Sequence, residues 1–238
     1  MDKTMKLRII YGTIFLIALW MGITFLRRIM GGMDNRRTQN DAAHYEMMSN
    51  MYKGAPRERG HIVFLGDDTT EALNFQKLLP SMFILNRGIA SDTTEGVLNR
   101  LGEVVSLTPS KLFILIGAND IANGLSTQAT ADNIKKIVEQ VKEDTPKTRI
   151  YLQGLLPSRT RERPDAKVRD LNHKLQFVAM EAECTYIDLF PAFTSGSRLN
   201  WDYSLDGLHL TDAGVAKWLE YLKPYLEEEI TDDEEELY

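Results

Sequence analysis

The chain has 238 residues, 43% hydrophobic and 26% charged, with 16 Gly, 8 Pro, four His and a single Cys. That is enough for a folded core of about 150–200 residues plus appendages, and it excludes collagen-like, disordered and disulfide-stapled classes. The formal charge of −6 is uneven: eight acids lie in the last twelve residues, leaving 26 acids against 28 Lys and Arg elsewhere, and so near-neutral a body argues against a nucleic-acid partner.

The first feature in chain order is Ile9–Leu26, eighteen residues without a charge, IIYGTIFLIALWMGITFL. As a helix this run rises about 27 Å, close to the roughly 30 Å of a bilayer's hydrocarbon core. It is longer than a signal-peptide core and ends in Arg27-Arg28 rather than a small-x-small cleavage site, so an uncleaved N-terminal anchor is expected. Lys3, Lys6 and Arg8 before it and Arg27, Arg28, Arg36 and Arg37 after it leave the orientation open. A polar linker, Met30–Asn40, leads to a weakly helical stretch at Asp41–Lys53, which Pro56 and the glycines of Gly54–Gly60 break.

Beyond this point short apolar runs alternate with longer helical stretches. The strands predicted are His61–Gly66, Met82–Asn86, Lys111–Gly117, Arg149–Gln153 and Thr185–Leu189. The helices predicted are Thr70–Leu79, Thr93–Ser106, Thr127–Asp144, Asp165–Glu183 and Thr211–Glu228. Continuous apolar strands imply a sheet covered on both faces, and strand–helix alternation makes it parallel. The expectation is an α/β fold, a three-layer αβα sandwich around a five-stranded parallel sheet. It divides the chain into an anchor (1–30), a linker with a short helix (31–59), one domain (60–226) and a solvated acidic tail (227–238).

Ligands of such sheets bind at the carboxyl ends of the strands. There the sequence places Gly66-Asp67-Asp68, Arg87-Gly88 and Gly117-Ala118-Asn119-Asp120, with Asp206-Gly207-Leu208-His209 just before the last helix. FLGDDTTE, NRGIASDTTEGVLNRL, LFILIGANDIANG and YSLDGLHLTDAG, in that order and spacing, resemble the four signature blocks of the SGNH (GDSL) hydrolases, the small acetylhydrolase-like members above all. The resemblance covers roughly Gly60–Leu226 and implies a flavodoxin-like sheet and ester hydrolysis without metal or organic cofactor. It implies that Gly88 N–H and the Asn119 side chain, with the backbone N–H of position 68, form the oxyanion hole, that His209 is the general base, and that Asp206 orients it. The chemistry wants these types: preorganised donors for a developing oxyanion, and an imidazole whose tautomer a carboxylate fixes.

Position 68 departs from the pattern, with Asp where the family carries its nucleophilic Ser. A carboxylate there would lie beside His209 and hold it as imidazolium, or place one oxygen in the oxyanion pocket and block it. Three readings follow: a pseudohydrolase that only binds a glycan or ester, a working Asp68 acting as general base or nucleophile, or a substitute hydroxyl from Thr69 or Thr70, both of which read better as helix-capping residues. A metal-binding phospho-receiver site with Asp120 as acceptor lacks its Lys after the fifth strand. A metal-dependent hydrolase on Asp67, Asp68 and Asp206 is the remaining rival.

Trp201 and Tyr203 are candidates to line a substrate cleft, Arg159, Arg161 and Arg163 read as a solvated basic loop, and His44, His61 and His173 read as structural. The expected substrate is a small acyl ester, most plausibly an O-acetyl group on a carbohydrate, met on the extracytoplasmic side of the membrane. The alternative is a catalytically inactive binding domain.

Overall fold

A computed structural model describes residues 41–55, 60–195 and 198–229. The proposed anchor Ile9–Leu26 and most of the acidic tail lie outside the described residues, and among the described ones no helix is long and apolar enough to cross a membrane. The chain divides into two units, Met1–Glu46 and Met47–Tyr238. Residues 41–46 of the first are helical, and the second carries the fold.

Helix α1 covers residues 41–54. Five strands follow, β1 (Ile62–Gly66), β2 (Ile84–Gly88), β3 (Lys111–Leu115), β4 (Arg149–Gln153) and β5 (Thr185–Ile187). They form one parallel sheet in the order β2-β1-β3-β4-β5. Between and after them run α2 (Asp68–Glu71), α3 (Phe75–Leu78), α4 (Thr94–Val105), α5 (Ala118–Ala122), α6 (Thr127–Asp144), α7 (Asp165–Glu181) and α8 (Asp212–Glu227). A two-stranded ribbon, β6 (Thr194–Ser195) with β7 (Arg198–Leu199), lies in the loop before α8.

Side chains alternate across a strand, and the two faces of this sheet feed two cores. Val63, Leu65, Leu112, Ile114, Ile150 and Leu152 pack against α4, α6 and α7. Phe64, Phe113, Tyr151 and Ile187 face Phe75, Trp218, Leu222 and Leu226 on the other side. There Phe75, Phe64, Phe113 and Tyr151 stack in series at centroid spacings of 4.3, 4.6 and 4.6 Å. The buried Trp218 indole donates to Gln153 Oε1 at 2.9 Å. The expected three-layer sandwich is therefore present.

Several boundaries differ from expectation: β2 lies two residues later than the predicted Met82–Asn86, and β3 and β5 stop two residues short of the predicted Gly117 and Leu189. The helix predicted at Thr70–Leu79 is broken between α2 and α3, because the Asn86 side chain takes the carbonyls of Thr70 and Leu73 (2.8 and 2.9 Å) that a continuous helix would have used internally. Asn74 then caps α3 by accepting from Lys77 N–H. The short α5 falls where a loop was expected, started by Gly117 at φ +116°, a conformation open to glycine and few other residues.

In this strand order the chain leaves β1 for one edge and resumes at β3 on the other side of β1. The crevice at that switch point, at the carboxyl ends of β1 and β3, is where ligands of such sheets bind. Asp68 and Asn119 stand directly after those strands.

Candidate active site

Asp68 opens α2 and is half-buried. One of its oxygens, Oδ2, accepts from the Asn119 side-chain amide at 2.9 Å and from Ser91 N–H at 3.0 Å. Two donors, one on α5 and one in the loop after β2, thus converge on a single negatively charged oxygen. Asn119 is buried, and its second amide hydrogen is given to Asp92 O at 3.0 Å. Its own Oδ1 accepts from the Arg163 guanidinium.

Gly88 is not one of these donors. Its N–H is given to Asn86 Oδ1 at 2.8 Å and its carbonyl accepts from Tyr52 OH at 2.9 Å. Glycine is needed at 88 for another reason: a Cβ there would lie 2.3 Å from Glu71 N, against the backbone of α2. The ladder runs on through Ile89, whose N–H bonds Gly66 O, so the first N–H free to turn into the crevice comes later, at Ser91. Ser91 holds φ +63°, a left-handed backbone that a non-glycine residue adopts only when its surroundings impose it. Glu71 Oε2 braces the loop by accepting from Ala90 N–H at 2.5 Å.

Asp206 and His209 meet as expected. His209 Nδ1 lies 2.6 Å from Asp206 Oδ2, while Asp206 Oδ1 accepts from the N–H groups of Leu208 and His209, each at 2.8 Å, and from Ser204 Oγ at 3.2 Å. The His209 contact and these backbone donors hold the Asp206 carboxyl well below the usual carboxylate range. With a carboxylate on Nδ1, the neutral ring carries its proton there and leaves Nε2 as the acceptor. Both residues are exposed. His209 makes no hydrogen bond or ion pair with Asp68 among the described contacts, so the expected imidazolium–carboxylate pair between them does not form.

The remaining expectations resolve as follows. Asp120 turns away from the crevice, accepting from Thr94 N–H and Thr94 Oγ1, and its role is structural. Among the described residues no cluster of three or more His, Cys, Asp or Glu could hold a metal, so Asp67, Asp68 and Asp206 do not gather into one. Thr70 is buried, whereas Thr69 lines a small cavity of about 30 Å³ with Asp67, Ser158, Arg163 and Leu208. The basic loop is not simply solvated. The Arg159 guanidinium lies 3.4 Å over the Trp201 ring and donates to Leu199 O and Ser204 O. Sequence reasoning missed Ser91, Ser204 and the contact of Arg163 with Asn119. Only a φ no sequence displays marks the first, and only a contact between distant loops marks the last.

Asp67 caps α2 by accepting from Thr69 N–H at 3.2 Å and is buried. Burial raises its carboxyl to about 7, with the Asp68 charge adding to the shift and Arg163 opposing it. The native state therefore keeps a proton that the unfolded chain loses near pH 4, and stability contributed below that pH is lost as pH rises towards 7. Asp67→Asn keeps the cap and removes the charge. Urea unfolding is expected to show the variant level with wild type near pH 3 and more stable by on the order of 4 kcal/mol at pH 8.

Residues 63–217 match the GDSL-like Lipase/Acylhydrolase family. The chain belongs to that family. Among known relatives of this GDSL-like chain, the platelet-activating factor acetylhydrolase IB subunit alpha1 of Bos taurus is 27% identical over 185 residues, 73% of this chain and 78% of that one. The alpha2 subunit of Rattus norvegicus is 29% identical over 167 residues, 66% and 71% of the two chains. A solved Streptococcus pneumonia chain described as a platelet activating factor superposes with a TM-score of 0.74 at 28% identity, covering 82% of this chain and 99% of its own. A mutant of an acetyl-xylooligosaccharide esterase from Geobacillus Stearmophilus gives 0.60 at 16% identity over 74% and 98% of the two chains, a likeness of fold alone. Ester hydrolysis of the acylhydrolase type is the chemistry of the GDSL-like family.

Proposed function

We propose that the chain is a membrane-tethered SGNH-type hydrolase of small acyl esters, with O-acetyl groups on carbohydrates as the preferred class. The observation that carries this is the pair of converging donors, Ser91 N–H and the Asn119 amide, already holding one anionic oxygen at the switch point of the sheet. A binding module has no use for the second feature, an imidazole oriented by its own carboxylate on a neighbouring rim loop.

With an ester bound, its carbonyl oxygen takes the place of Asp68 Oδ2 and the donors meet the charge that builds there, each worth about 3–4 kcal/mol to the transition state. Position 68 offers no hydroxyl, so the attacking atom is a water oxygen. His209 Nε2 takes the water proton as the new C–O bond forms and returns it to the alkoxide as the ester C–O bond breaks, leaving a carboxylic acid and an alcohol. The acetylhydrolase names of the relatives support a two-carbon acyl group. The exposed Trp201, presented on the rim with Arg159 against its ring, supports a sugar as the alcohol. The uncharged run Ile9–Leu26 supports the tether, with the domain on the extracytoplasmic face.

The Asp68 contact favours a second reading, a pseudohydrolase that binds a glycan or ester and does not turn it over, since the donors are already satisfied from within. The two separate in one experiment on the full chain in detergent micelles, with acetate release from 4-nitrophenyl acetate and from acetylated xylo-oligosaccharides as readout. The hydrolase reading expects turnover that falls at least about 100-fold in His209→Ala and in Asn119→Ala. No release above buffer by the wild-type chain would hand the site to the second reading. Tethering is checked separately, by whether the chain stays in an alkaline-washed membrane pellet and leaves it when residues 1–40 are deleted.

A further inference from the structure

We propose that Arg163 is a positioning residue of this site: it holds the Asn119 amide in the orientation that presents N–H, rather than oxygen, to whatever oxygen the crevice binds. The inference deepens the reading of Ser91 and Asn119 as the donor pair and rests on it.

An asparagine side chain ends in an oxygen and an NH₂ group of almost the same size, so packing alone does not decide which one faces a pocket. The partners decide. A guanidinium can only donate, so the atom facing Arg163 must be Oδ1. Asp92 O and Asp68 Oδ2 can only accept, so the atom facing them must be Nδ2. Arg163 is the sole described donor to Oδ1, and it reaches across from the loop between β4 and α7 to do so. Without it the orientation rests on the Asp92 carbonyl alone once a substrate oxygen replaces Asp68, and Oδ1 is left without its described donor.

The same contact strengthens the donor. A cation on the carbonyl end of an amide draws electron density from the nitrogen and makes its N–H a better donor, and such chains of hydrogen bonds polarise one another where water is partly excluded. Arg163 is half-buried and borders the small cavity beside the site with Asp67 and Leu208, neighbours in sequence of Asp68 and His209. It is thus placed to act on the site through Asn119, and its two loop companions are not: Arg161 is exposed and Arg159 is spent on Trp201 and two carbonyls.

Because the donor pair holds the Asp68 carboxylate, Asp68 reports the state of Asn119 whether or not the chain hydrolyses anything. The test follows the Asp68 side-chain carboxyl carbon by NMR at a single fixed pH in the full chain in micelles, in wild type, Arg163→Met, Arg163→Lys, Asn119→Ala and the double variant Arg163→Met/Asn119→Ala. Asn119→Ser replaces the alanine variant should the loop at Asp92 fail to fold. Loss of Arg163 is expected to shift the Asp68 carboxyl signal from its wild-type position, Lys to recover part of it, and the shift to shrink severalfold once Asn119 is gone. An equal shift with and without Asn119 would show a distant charge and nothing more, and no shift at all would remove the role; either result overturns the proposal. A chain that releases no acetate but shows the coupled shift keeps Arg163 as the positioning residue and loses only the hydrolase reading.

Discussion

Exchanging Asp68 for serine is expected to raise the hydrolysis of 4-nitrophenyl acetate by about 10²–10³ over the wild-type chain. In wild type an ester carbonyl must first displace a carboxylate that accepts two hydrogen bonds, 2.9 Å from Asn119 and 3.0 Å from Ser91. Charge-assisted bonds of this kind are the strong ones, so the resting site is stabilised against its own substrate. Serine is too short to reach both donors and adds a hydroxyl at the start of α2. Three further variants divide the effect. Asp68→Ala frees the donors without supplying a nucleophile and is expected to fall between wild type and Asp68→Ser. Asp68→Asn keeps an oxygen of the same reach against the donors and is expected to stay near wild type. The order Ser, Ala, then Asp with Asn marks occupancy of the donor pair as the block. Should Asp68→Ala instead abolish a turnover that wild type shows, the carboxylate acts in the chemistry and the displacement argument fails. Rates are compared where circular dichroism shows each variant folded, since removing the carboxylate also removes the two hydrogen bonds it accepts.

The scaffold of this site is legible in the sequence because it depends on short-range signals. The apolar runs ending at Gly66 and Gln153 end where β1 and β4 end, and Thr127–Asp144 is helical over the range its periodicity predicts, capped by Ser126. Asp206 and His209 are legible for the same reason, since three residues on one turn suffice to bring them together. The donor pair proposed for the oxyanion is legible only by half. Asn119 follows a strand legible in the sequence, although β3 ends at Leu115 and not at the predicted Gly117, but the other donor depends on how far the β1–β2 ladder runs past Gly88, which is a property of two strands and not of one segment. The glycine at 88 serves the close approach of α2, and sequence shows the glycine without the reason for it. The break between α2 and α3 escapes for a related reason, since Asn86, a dozen residues further on, takes the carbonyls that would have carried the helix through. Arg163 is the extreme case: its partner lies 44 residues away in the chain, and nothing local separates it from the exposed Arg161.

The largest stability loss is expected from Arg100→Met, at about 3–5 kcal/mol. Arg100 is about 1% exposed and its guanidinium serves Asp92 Oδ2 at 2.9 Å, Glu103 Oε1 at 3.1 Å and Arg87 O at 2.8 Å. Methionine fills much of the volume, so the cost lies in what is left behind: two buried carboxyls, of which Glu103 keeps Arg87 at 3.1 Å and Asp92 keeps no cation. Burial already raises Asp92 to about 6 even with Arg100 opposing it, and raises Glu103 as well. Without the guanidinium both rise further, so the native variant holds protons that the unfolded chain has released, and its stability falls as pH climbs from about 4 towards the raised native values. The deficit measured by urea unfolding should therefore be smaller at pH 5 than at pH 8, and adding Asp92→Asn to Arg100→Met should return part of it at pH 8. A deficit equal at both pH values would make lost packing, and not stranded charge, the cause. The same variant bears on the site, because the backbone carbonyl of Asp92 takes one of the two Asn119 amide hydrogens. If the ion network holds that carbonyl in place, Arg100→Met on the Asp68→Ser background lowers the rate of ester hydrolysis at a pH and temperature where the protein is still fully folded.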